Sequence, residues 1–185
     1  MKLGIPVLFT LLTTASFAED TRQLDSHEHG VGTLNIAIDG TTVAMEFHAP
    51  GADIVGFEYA AKSADDRDAI EAAVATLARP LDLFLLSTAA QCTVDLASAG
   101  LEGDEDHDEH GDDHADHDDE TGHTEFHAEY TLTCAAPENL SDISFAYFDM
   151  FENAREIEVQ ILTKSGARAF EVERAEPTLD LGNMF

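Results

Sequence analysis

The chain has no tryptophan, two cysteines and only nine lysine or arginine residues in a length of 185. Nine basic side chains against 38 acidic ones leave a formal net charge of −29. A polyanion repels DNA, RNA and anionic lipid, so none of these is a natural partner, whereas cations are. Also missing are a Gly-x-Ser-x-Gly elbow, a phosphate loop, a dinucleotide fingerprint and a His-Glu-x-x-His helix. The sequence is therefore read as that of a binding protein, not an enzyme. Beyond the first eighteen residues no apolar run is long enough to cross a membrane. A wholly disordered chain is excluded in turn, because 44 % of the residues are hydrophobic. The length suits one domain. Nine histidines in so acidic a protein are the conspicuous presence.

Residues 1–18 read as a secretory signal: Lys2, an apolar run over Leu3 to Leu12, then Ser16 and Ala18 at the positions a signal peptidase recognises. The run is about half the roughly 20 residues a spanning helix needs. Export to an oxidising compartment favours a disulfide between Cys92 and Cys134 over two buried thiols or a soft metal pair. Such a bridge adds on the order of 3–4 kcal/mol in the chain-entropy model.

Residues 102–120 hold twelve Asp or Glu and four His and no large apolar side chain. Such a stretch cannot bury a core and reads as a disordered, solvated loop. The two cysteines lie on either side of it, so it interrupts one domain, made of 19–101 and 121–185, instead of separating two.

The expected fold class is α+β: one mostly antiparallel sheet of six or seven strands with one main helix on its apolar face. Leu34, Ile36 and Ile38 line one face of a first strand. Asp39 and Gly40 form a hairpin turn that pairs Ile38 with Thr41, and Val43, Met45 and Phe47 line the return strand. Ser63 to Ala78 reads as the helix, capped by Ser63, with Asp65, Asp66 and Asp68 at its positive end. Pro80 starts a second short turn, with Leu81, Phe84 and Leu85 facing inward. Cys92, Val94 and Leu96 alternate as a further strand. Phe126, Ala128, Tyr130, Leu132 and Cys134 alternate with His123, Glu125, His127 and Glu129 as the clearest one. Leu140 to Phe151 fits both strand and helix. Ile157, Val159 and Ile161, a Lys164-Ser165-Gly166 turn, and Phe170 with Val172 give another hairpin. The tail after Pro177 is expected to be loose.

In the hairpin register His27, His29, Glu46 and His48 share the polar face. His123, Glu125 and His127 line the polar face of their own strand. Two histidines four residues apart on a strand are about 13 Å apart and cannot share an ion unless the strand bends. One of them is expected to join the hairpin group and the other to serve a second site or the loop. Imidazole and carboxylate together suit Zn²⁺, while histidines alone leave copper and nickel open. In the loop, His107, His110, His114 and His117 recur at spacings of three, four and three among carboxylates. That density points to weak, fast-exchanging metal capture, because ordering a loop costs backbone entropy.

The order of these features resembles the ZrgA-like family of bacterial periplasmic zinc-uptake proteins. The likeness is carried by His27-Glu28-His29-Gly30, by Glu46-Phe47-His48-Ala49-Pro50, by Gly56-Phe57-Glu58, by the lone Cys92, by the His- and acid-rich insertion, and by the run from His123 to Cys134. The resemblance implies zinc binding in the periplasm, support of an inner-membrane zinc importer, and a loop that tunes capture. It carries zinc roles onto His27, His29, His48, His123 and His127, and it makes Pro50 to Phe57 a stretch that sets shape without supplying ligands. A periplasmic buffer that sequesters zinc, copper or nickel without delivery is the alternative reading.

Overall fold

A computed structural model describes residues 28–103, 123–182 and 184. The signal segment, His27 and the histidines of the loop lie outside the described residues. The strands are β1 (Val31–Asp39), β2 (Thr42–Pro50), β3 (Phe84–Leu86), β4 (Cys92–Gly103), β5 (Thr124–Cys134), β6 (Asp142–Phe145), β7 (Glu156–Thr163), β8 (Gly166–Glu173) and β9 (Thr178–Asp180). The helices are α1 (Gly51–Ile54), α2 (Ala64–Leu77), α3 (Pro80–Leu83) and α4 (Tyr147–Met150).

Six strands form one sheet in the order β4-β5-β2-β1-β7-β8. All its neighbours are antiparallel except β1 and β7, which run parallel. The α+β reading holds. The period-2 pattern explains the sheet: Leu34, Ile36, Val43, Met45, Phe47, Phe126, Ala128, Tyr130, Ile157, Val159 and Ile161 are all buried on one face. A second, three-stranded sheet in the order β3-β6-β9 shares that core. Phe47 of the large sheet meets Phe84 of the small one at 5.6 Å and Tyr147 of α4 edge-on at 5.2 Å.

The main helix forms as expected. Ser63 Oγ accepts from Asp66 N, and the Asp66 carboxylate accepts from Ser63 N, closing a capping box. Ala73 and Leu77 face inward. The Tyr130 hydroxyl donates to the Leu77 carbonyl at 2.9 Å, fastening the helix end to β5. The Cys92–Cys134 disulfide is present and joins directly opposed residues of β4 and β5.

Several details differ from the sequence reading. The hairpin pairs Asp39 with Thr42, two places off the expected Ile38 with Thr41. Gly40 alone takes positive φ there, at 61°, and no side-chain-bearing residue is forced into that region. The shift is even, so the face of every residue is unchanged. Val94 and Leu96 do not share a buried face: β4 is an edge strand, and a bulge at Asp95 turns Leu96 outward opposite Thr131. Leu85 is exposed, because the chain leaves α3 as a strand at Phe84. Leu140 to Phe151 holds both elements in succession, β6 and then α4. The tail is not loose. β9 pairs with β6, and Leu179 and Leu181 are buried. Glu102, assigned to the loop, is the penultimate residue of β4 and pairs with Glu125.

Two expectations follow for stability. The Ser63 backbone N–H, followed by the Ser63 hydroxyl, holds Asp66 below the ordinary carboxylate value. A lowered folded value gives stability that is present above the unfolded value and lost as pH falls through the folded one. Asp66→Asn will therefore lose less stability than the wild type between about pH 5 and pH 2, read from urea midpoints. The double variant Cys92→Ser/Cys134→Ser will unfold about 3–4 kcal/mol more easily, and reductant will bring the wild type down to the same midpoint.

Candidate metal centre

Packing places the first group of ligands. β2 pairs with β5, and His48 lies directly opposite His127. Phe47, Ala49, Phe126 and Ala128 are buried on the inner face, so strand alternation sends both histidines to the outer face. Their rings stack at 4.5 Å between centroids. Glu46 stands beside them on the same face. The sequence left open which strand β5 would adjoin, and the fold answers that His127 joins the hairpin group.

A carboxylate stands at Nδ1 of each imidazole, hydrogen-bonded in the case of His48. His48 Nδ1 lies 3.3 Å from Glu125 Oε2, and His127 Nδ1 lies 3.2 Å from Glu102 Oε1. An ionised carboxylate only accepts, so in the tautomer that keeps its proton on Nδ1 each imidazole turns the lone pair of Nε2 toward Glu46. The two Nε2 atoms converge on one oxygen, Glu46 Oε1, at 3.5 Å from His48 and 3.8 Å from His127. His127 Nε2 is buried and has no hydrogen-bond partner among the described residues. A pair of lone pairs aimed at a carboxylate calls for a cation between them.

Hydrogen bonding to Glu125 raises the His48 imidazolium above its ordinary value, against a lowering by burial, and the charges of Glu125 and Glu46 add to the rise. Zinc bonds of about 2.0–2.2 Å in a tetrahedron put neighbouring ligands about 3.3 Å apart. The atoms of Glu46, His48 and His127 lie within 4.8 Å of one another, so small side-chain rotations close such a site. Opposite His127 on β4 stands Gly100, where a Cβ would meet nothing within 4 Å. A hollow of about 170 Å³ lies beside it, lined in part by His127, Glu102 and Glu129.

The surrounding sheet is acidic. Glu46 faces Glu129, Glu102 faces Glu125, Glu156 faces Glu173 and Glu158 faces Glu171, each directly across a strand pair. Opposed like charges destabilise a sheet, and a bound cation relieves that repulsion. Burial, followed by the charges of Glu171, Glu158 and Glu173, raises the Glu156 carboxyl.

The chain matches the family model described as ZrgA family zinc uptake protein over residues 26–181. It belongs to that family. Membership gives the Glu46, His48 and His127 group a zinc-related setting. No curated protein matches the chain. No helix among the described residues is long and apolar enough to cross a membrane.

Not every histidine of this ZrgA-family chain joins that group. β1 begins at Val31, so His29 lies in the turn before it and does not reach His48. His29 Nε2 instead contacts Glu58 Oε1 at 3.1 Å, and His123 Nδ1 contacts Glu58 Oε2 at 2.9 Å. Burial pushes the Glu58 carboxyl up, but hydrogen bonds from His123 and His29 outweigh it and hold the group below its ordinary value. Sequence reasoning missed Glu58 and Glu102. Glu58 follows directly on the stretch read as shape-setting, and Glu102 was counted among the loop carboxylates.

Two backbone anchors hold this second cluster. Gly30 N donates to both oxygens of buried Asp53, at 2.8 and 2.9 Å, and Gly30 O accepts from Arg155 N and Glu156 N. Those bonds fix the turn that carries His29. Burial raises the Asp53 carboxyl, partly offset by the Gly30 bond. At Gly51 the segment leading to Glu58 passes close over β5. A Cβ there would strike Thr124 Oγ1 and lie 2.7 Å from the Phe57 carbonyl. Gly51→Ala will therefore cost about 1–3 kcal/mol by overpacking and lower the denaturation midpoint. Gly100→Ala, with open space around its Cβ, will leave it within about 0.5 kcal/mol.

Proposed function

We propose that the chain is a periplasmic zinc-binding protein, exported by its signal segment, that captures Zn²⁺ and passes it to an inner-membrane importer. One observation carries this reading. Two imidazoles, each held at Nδ1 by its own carboxylate, turn their Nε2 atoms toward a shared Glu46 oxygen. Second-sphere carboxylates of this kind fix the tautomer and raise the basicity of histidines that bind zinc. Glu125 thereby becomes a residue that orients His48, whereas the sequence suggested a ligand.

Three protein ligands leave the fourth tetrahedral position open. An open position lets an incoming ligand attach before the protein lets go, which is what a carrier needs. The His- and Asp-rich segment supports capture. In the sequence it follows directly on β4, which ends one residue after Glu102, and leads into His123 and β5, the strands that carry Glu102 and His127. Binding, not catalysis, is the role: no nucleophile or general-base motif accompanies the histidines in the sequence.

Delivery and buffering differ in affinity. A carrier needs a tight, defined site, and a buffer needs only many weak ones. In a zinc titration against a competing chelator, deletion of residues 104–120 will remove weak binding and leave a tight site. Adding His48→Ala and His127→Ala will weaken that site at least about 100-fold, since each lost ligand typically costs more than the 10–100-fold of a second-sphere partner. Absence of any tight site after loop deletion would favour the buffer. Copper and nickel titrated in parallel report selectivity.

A further inference from the structure

We propose that the outer face of the six-stranded sheet is a docking surface for a basic amphipathic helix of a partner protein. Only the further step, that the docked partner receives the metal, rests on the carrier reading. Among the described residues α2, α4 and the small sheet all pack on the inner face. No described residue covers the outer one.

The strand register lays out what that face carries. Thr131, Ala44, Ala37, Leu162 and Ala167 stand side by side in one row across β5, β2, β1, β7 and β8. Leu96 extends the row onto β4. The three alanines are exposed, and Leu96 and Leu162 are each 56 % exposed. Alanine is depleted in strands because it gives a pleated surface little to pack. A row of such small side chains lets another backbone come close. The row floors a hollow of about 800 Å³. Five strands spaced by about 4.8 Å make it about 19 Å long, which matches a helix of about 13 residues. A helix bonds its own backbone, so it can cover a sheet face without ladder partners.

Charge selects the helix. The next row toward the metal centre holds Glu129 and Glu46, and the row beyond it Glu158 and Glu171. On the other flank the face ends at Thr42 and at Asp39, whose charge Lys164 offsets at 3.1 Å. Arg168 is the one cation lining the hollow, at its β8 end, against the carboxylates of Glu46 and Glu129. Acid therefore lines one flank of an apolar floor. The complementary occupant carries an apolar stripe with Lys or Arg along one side of it. A second copy, at a net charge of −29, brings a face of the same sign. Residues 104–120 of the chain itself hold no lysine or arginine. Glu46 belongs both to the hollow and to the metal group, so a docked partner stands within reach of the metal.

The experiment uses the full exported chain without metal, so its outcome is independent of zinc binding. The probe is a synthetic helix of about 13 residues, with alanine and leucine on one face and lysines along one flank. A second peptide carries the same residues in scrambled order. Methyl ¹³C NMR is expected to show the first peptide shifting Ala37, Ala44, Leu162 and Ala167, with the scrambled one binding at least about tenfold more weakly. Ala44→Gln with Ala167→Gln, at exposed positions, will weaken the first peptide by at least about tenfold and leave the denaturation midpoint in place. Glu129→Gln will weaken it about two- to fivefold and flatten its salt dependence. Equal binding of the two peptides, shifts confined to other surfaces, or no binding by either would overturn the proposal. Dimerisation of the chain that shifts the same methyls without peptide would give the face to a second copy and refute the partner.

Discussion

The antiparallel pairing of β2 with β5 is the constraint on which the rest depends. Its inner face buries Phe47 beside Ala128 and Ala49 beside Phe126. Its outer face stacks His48 on His127. Because side chains alternate strictly, these two facts are one. Full burial of a Phe or Leu is worth roughly 1.5–3 kcal/mol, and a slip of one residue would exchange the buried aromatics for imidazoles. The hydrophobic core therefore fixes the register that a metal needs. Glu46 and Glu125 are placed by the same alternation, two residues from each histidine.

Much of this was legible in the chain. The alternation at Leu34, Ile36 and Ile38, the Ser63 cap and the Cys92–Cys134 bridge all rest on local pattern or on a pair with no other partner. The polar parity of His48, Glu125 and His127 also follows from local alternation. What escaped depends on long-range pairing. No local signal tells that β5 adjoins β2, or that β1 takes β7 as a parallel neighbour. Glu58 was invisible as the partner of His29 and His123 because that contact depends on a turn at Gly51 passing over Thr124, between segments some seventy residues apart. Leu96 misled for the opposite reason: its alternation with Val94 is real, but a bulge at Asp95 breaks the parity in space.

Acidity, first a ground for excluding nucleic acid, has a specific location in the fold. Four glutamate pairs face one another directly across the outer sheet. Repulsion of this kind works against the folded state, and two of the pairs, Glu46 with Glu129 and Glu102 with Glu125, lie on the same or neighbouring strands as His48 and His127. The helix, by contrast, uses its acids conventionally, with Asp65 and Asp66 in its first turn.

The disulfide has a consequence for how this chain can vary. It ties β4 to β5 at one end of their ladder, at Cys92 and Cys134, while the acidic segment joins the same two strands at the other end. The strand pairing is thus secured independently of the segment that connects it. Closing a longer connection costs only about 0.6 kcal/mol for each doubling of its length. Residues can be gained or lost there with little penalty to folding, so the length and composition of the connection are free to vary without loosening the β4–β5 pair.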